Sequence, residues 1–79
     1  MITSITIYWD LNSVPQGWAY RTLDDREREQ GGYLSGIADD DLDGAIRQAC
    51  HELDVDLSPD DFAREPMIDG GYAVWSGNG

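Results

Sequence analysis

The chain contains no lysine. Its positive side is five arginines, set against sixteen aspartates and glutamates, for a formal net charge of −11. That shortage disfavours direct binding to nucleic acid, where affinity comes mainly from Lys and Arg neutralising phosphates. It disfavours anionic membrane surfaces for the same reason. Cysteine is nearly absent too. Cys50 stands alone, so there is no intrachain disulfide and no thiolate zinc cluster. No apolar run is long enough for a transmembrane helix. The N-terminus lacks the basic region and apolar run of a signal peptide, so the expected location is the cytoplasm. The glycine pairs are isolated and do not lead into a helix, so there is no phosphate-cradling loop. Nothing in the sequence calls for a cofactor.

What is present points to a folded domain. Hydrophobic residues make up 41% of the 79 positions, enough for one domain with a modest core. Trp9, Trp18 and Trp75, with four tyrosines, supply large areas to bury. The charge needs a reason, because self-repulsion at −11 costs stability. It serves either solubility, in ordinary or salty surroundings, or a surface built for a cationic partner.

Residues 2–11 alternate as a strand, with Ile5, Ile7, Trp9 and Leu11 on one face and Ser4, Thr6 and Tyr8 on the other. Residues 12–17 read as a turn punctuated by Pro15 and Gly17. A second strand is expected over 18–23 and a third over 32–37. The run 24–29, Asp-Asp-Arg-Glu-Arg-Glu, forms the charged tip between them or extends both. Leu42, Ala45, Ile46, Ala49, Cys50 and Leu53 fall at helical period, which predicts a helix over about 40–54 capped by Asp39 or Asp40. Ser58, Pro59 and Asp61 signal the start of a short second helix that ends at Pro66. Residues 71–76 form the last strand. The expected fold is α+β in two layers: a four-stranded, mainly antiparallel sheet with one main helix, ordered β-β-β-α-short α-β. One sheet face then lies open, and Tyr8 with Trp18 or Tyr20 would form an aromatic patch there, suited to a partner or a homodimer.

Three chemistries come into question for these residues. Asp39-Asp40-Asp41-Leu42-Asp43-Gly44 matches the opening of an EF-hand calcium loop. The twelfth position, which should carry a bidentate Glu, is Cys50, and the loop would erase the first half of the helix. No metal site is therefore expected. Cys50 and His51 are helical neighbours pointing about 100° apart, so they cannot form a nucleophile–base pair. Paired carboxylates for glycoside chemistry would need an enclosed pocket that so short a chain has little room to build. The chain is not expected to be an enzyme.

The acids themselves are the remaining candidates. Asp39, Asp40, Asp41 and Asp43 sit at the helix N-terminus, where the dipole favours negative charge by roughly 0.3–1 kcal/mol each. Asp60 and Asp61 sit likewise at the start of the short helix. Glu52, Asp54 and Asp56 lie at and beyond the helix C-terminus, where cations belong. A local rule broken without compensation is where function concentrates.

With its lysine-free acidity and the clusters Asp39-Asp40-Asp41-Leu42-Asp43 and Glu52-Leu53-Asp54-Val55-Asp56, the chain resembles the small acidic phage inhibitors. These form a DNA-mimic class that includes many anti-CRISPR proteins and uracil-glycosylase inhibitors. The resemblance implies carboxylates standing in for phosphates on a basic surface of a nucleic-acid-binding complex, with all nine clustered acids as candidate contacts. In size and element order the chain is also similar to HicB-like antitoxins, which implies a basic RNA-cleaving toxin as partner. The short apolar-acidic signature that usually precedes the helix in that family is not evident in this sequence.

Overall fold

A computed structural model describes residues 1–10, 12, 16–65 and 72–77. The strands are β1 (Ile2–Asp10), β2 (Gly17–Asp24), β3 (Glu29–Tyr33), β4 (Ala63–Glu65) and β5 (Tyr72–Ser76). The helix α1 spans Leu42–Leu53, and a 3-10 turn follows at Pro59–Asp61. All strand pairs are antiparallel, in the order β3-β2-β1-β5-β4. The fold is α+β, as expected, but the sheet has five strands rather than four. The extra strand is β4. Its three residues, Ala63-Arg64-Glu65, are too short and too polar to carry a period, and they become a strand only by pairing with Val74, Ala73 and Tyr72.

The alternation in β1 decides which face is buried. Ile5, Ile7 and Trp9 stand opposite Thr22, Tyr20 and Trp18 of β2, so all six share one face. Against that face α1 lays Ala45, Ile46, Ala49 and Cys50, all buried, with Leu42 and Leu53 at the margins of the core. Phe62 and Ala73 complete it. Burying side chains such as Ile5 and Ile46 contributes roughly 1.5–3 kcal/mol each. Trp9 and Trp18 meet edge to face, with ring centroids 5.4 Å apart, and the Trp18 indole N–H donates to the Ala38 carbonyl at 2.7 Å. The chain leaves the sheet at the β3 edge and re-enters at the opposite edge, β4, so the intervening segment carries α1 across the covered face.

Three local expectations shift. The third strand runs over Glu29–Tyr33, not 32–37. The turn after Asp24 sets the register, pairing Glu29 with Leu23 and Gln30 with Thr22, and Gly36 at φ +75° breaks the extended chain soon after. The helix begins at Leu42, with Asp41 as its N-cap rather than Asp39 or Asp40. The second helix is a single 3-10 turn. The Pro66 stop, Leu11, Gly71 and residues 13–15 of the turn over 12–17 lie outside the described residues.

The open face differs from expectation as well. Trp18 is 1% exposed and sits under α1, and Tyr20 shares its face. The aromatics that do occupy the open face are Tyr8, Tyr33 and Tyr72. Register places Tyr72 opposite Tyr8, Tyr8 opposite Ala19, and Ala19 opposite Tyr33. Tyr33 is 68% exposed, whereas Ala19 between the two rings is buried.

Candidate functional site

The acids separate into those the fold uses and those it does not. At the start of α1 the Asp41 carboxylate accepts from the Gly44 amide at 2.9 Å, satisfying one of the free donors of the first turn. Asp43 pairs with Arg64, which reaches across from β4. The stretch that would form a calcium loop is instead wound into the helix over Leu42–Leu53, with Asp41 on a cap and Asp43 on a guanidinium. Asp61 accepts from the Ser58 amide at 2.8 Å and from its hydroxyl at 3.3 Å. That is the acidic half of the capping box read from the sequence.

The hairpin tip uses three of its four acids, leaving the Glu27 carboxylate exposed and without a partner among the described residues. Asp24 accepts from the amides of Arg28 at 2.8 Å and Arg26 at 2.9 Å. The Arg28 amide, more than any other contact, holds the Asp24 carboxyl below its ordinary value, and the Arg26 amide adds to it. Asp25 lies 3.3 Å from the Met1 amino group, and Glu29 lies 3.1 Å from Arg21 on the open face. Arg21 in turn stands over the Tyr8 ring at 5.9 Å. The charge of Asp10 and a hydrogen bond to it raise the Tyr33 phenol above its usual range.

The C-terminal end of α1 gives the sequence reading its main correction. Asp54 has a structural reason to be there. Its backbone is left-handed (φ 56°, ψ 46°), its amide donates to the His51 carbonyl at 3.2 Å, and the Val55 amide donates to the Cys50 carbonyl at 3.0 Å. This is a Schellman closure, with Val55 and Cys50 both in the apolar cluster. After Gly, Asp and Asn are the residues that best tolerate this backbone. The spacing from the last apolar position of the helix was the signal that could have located it. The Asp54 side chain remains exposed and makes no hydrogen bond or ion pair among the described residues, and the same holds for Asp39, Asp40, Glu52, Asp56 and Asp60.

These six free carboxylates belong to the helix layer, in two groups. Asp39 and Asp40 precede α1, and Glu52, Asp54 and Asp56 close it. The twelve-residue helix separates the groups by about 18 Å. Asp60 lies in the 3-10 turn, which packs on the helix. Between the groups the exposed helix surface is Arg47, Gln48 and His51. Asp41, Asp43 and Asp61, also expected as contacts, are engaged internally. Cys50, expected at the edge of the stripe, is 4% exposed. Burial first, and the nearby Asp61 charge second, push its thiol pKa up, which leaves it a packing residue rather than a nucleophile. Among the described residues no helix is long and apolar enough to cross a membrane. No family model, no curated protein and no solved structure matches this chain.

Proposed function

We propose that this chain is a non-enzymatic acidic binding protein of the cytoplasm. In this reading it is an anti-CRISPR-type DNA mimic, whose helix layer blocks a basic surface of a nucleic-acid-binding complex. One observation carries the reading. Among the described residues, six of the seven carboxylates left after every cap, turn and ion pair is assigned lie on the helix layer, the seventh being Glu27 at the hairpin tip, and three of the six stand where the helix dipole opposes negative charge. Their separation suits two rows of cations on a groove better than a single strand of closely spaced phosphates. Duplex DNA places a charge every roughly 1.7 Å of axis, which one helix cannot copy.

A second reading, an antitoxin-like module that caps a basic toxin, draws on the element order. Three strands, a helix and a returning strand that pairs with β1 are retained, with β4 added at the edge. Capture of the partner from host lysate, followed by competition, separates the two. A DNA mimic is displaced by duplex DNA, and its complex weakens steeply between low and high salt. An antitoxin neutralises a toxic ribonuclease, and duplex DNA does not displace it. A complex indifferent to salt contradicts both.

A further inference from the structure

β3 pairs with β2 on one side only and forms an edge of the sheet. Two bonds set its hydrogen-bonding phase: the Leu34 amide donates to the Trp18 carbonyl at 2.9 Å, and the Asp24 amide donates to the Arg28 carbonyl at 3.1 Å. Bonded and non-bonded residues alternate along an antiparallel pair. Gln30 and Gly32, opposite Thr22 and Tyr20, therefore turn their amides and carbonyls toward β2. Glu29, Gly31 and Tyr33 turn theirs away from the sheet, and all three are exposed. Proline, lysine and bulges ordinarily protect such an edge, and β3 has none of them. The opposite edge, β4, is only three residues long.

The two glycines of β3 are covered unequally. On the helix side the Tyr20 ring lies across Gly32, so close that a Cβ there would meet the hydroxyl at 2.6 Å. A cross-strand aromatic laid over a glycine is a recognised way of filling such a gap. On the open side Gly31 has no aromatic partner, because Arg21 stands opposite it. A recess of about 280 Å³ opens there, lined by Tyr8, Arg21, Glu29, Gly31 and Tyr33 among others. A glycine inside a strand often marks the close approach of another backbone.

We propose that β3 accepts an extended segment of a basic partner as a sixth, antiparallel strand, with an aromatic side chain of that segment laid over Gly31. Residues directly opposite share a face. The segment's residues two positions to either side of the aromatic therefore meet Glu29 and Tyr33, whose phenol is held by Asp10. Basic side chains fit both places, by charge at Glu29 and by cation–π contact at Tyr33. A second copy of the chain would bring another −11 into the contact, whereas a cationic strand relieves that repulsion. The choice of a cationic occupant rests on the reading of the chain as a binder of basic surfaces.

The probe is a blocked peptide, threonine-arginine-threonine-tyrosine-threonine-arginine-threonine, titrated into the full chain while amide chemical shifts are followed. Saturable binding is expected, with the largest shifts at Glu29, Gly31 and Tyr33. N-methylation of the tyrosine and both arginines keeps ring and charge but removes three donors, and is expected to weaken binding about tenfold or more. Gly31→Pro removes an outward amide that β2 does not use, and is expected to have a similar effect. Glu29→Pro, at the first position of the strand, serves if that variant fails to fold. Equal binding of the methylated and unmethylated peptides overturns strand addition and leaves the basic-partner reading standing. Absence of binding by either peptide overturns the strand-addition proposal, whereas the basic-partner reading falls only with the helix-layer carboxylates. Self-association of the chain alone that Gly31→Pro abolishes assigns the edge to a second copy and overturns the proposal.

Discussion

At the N-terminal end of α1, Asp41 accepts from the Gly44 amide and Asp43 pairs with Arg64. At the C-terminal end, Asp54 holds a left-handed backbone, and Glu52 and Asp56 meet no cation among the described residues. The same residue type thus stabilises one end of the helix and burdens the other. The dipole explains the difference, since it favours an anion at the first end by up to about 1 kcal/mol and disfavours it by a similar amount at the second. What the contrast teaches is that acidity alone does not mark a binding surface here. Only the acids that the fold does not use can be given to a partner without loss of stability.

Substitutions at the two ends should therefore move stability in opposite directions. The largest effect is expected at the start of the helix. Asp41→Ala removes the cap and should lower stability by about 1 kcal/mol. For a domain of this size that corresponds to a fall in melting temperature of roughly 4–8 °C. An unchanged melting temperature would show that the cap contributes nothing. At the other end, Asp54→Gly should raise stability by about 0.5 kcal/mol. Relief of the left-handed backbone there exceeds the entropy that glycine adds to the unfolded chain. A decrease in a denaturant titration would contradict the Schellman assignment. Glu52→Gln should raise stability by about 0.3 kcal/mol at low ionic strength, and the gain should vanish near 1 M salt. A gain that survives high salt would need a cause other than the dipole.

The hairpin tip sharpens the contrast through pH. Asp24 belongs with the acids the fold uses. The Arg28 and Arg26 amides lower its folded pKa below 3.8. Its contribution is therefore present above the unfolded value and is lost as pH falls through the lower folded one. Asp24→Asn should flatten the acid limb of the stability profile below about pH 4. An acid limb identical to that of the parent chain would rule out this role.

Much of this was legible in the residues. The stripe from Leu42 to Leu53 and the alternation of Ile5, Ile7 and Trp9 are strong periodic signals, and both bury the side chains they predict. Ser58-Pro59-Asp60-Asp61 announced its turn through its own local chemistry. What could not be read depended on contacts between distant residues. β4 exists because Ala63 and Arg64 find β5, and Arg64 finds Asp43 only once that strand lies beside the helix. The inward turn of Trp18 and Tyr20 follows from their pairing with Trp9 and Ile7, a register that the turn over 12–17 does not encode by composition. The split among the acids is of the same kind. Asp40 and Asp41 are indistinguishable in sequence, and one hydrogen bond to Gly44 separates them.

The central claim is that the carboxylates left over from folding carry the binding. The most direct measurement is the affinity of the captured partner for the parent chain and for the triple variant E52Q/D54N/D56N, read by calorimetry at low and high salt. Asn suits the left-handed backbone at position 54, so the variant should fold with stability unchanged or slightly raised. The variant's complex should be weakened at least tenfold, or about 1.4 kcal/mol, with a shallower salt dependence. An equally stable variant that binds as tightly as the parent, with the same salt dependence, would contradict it.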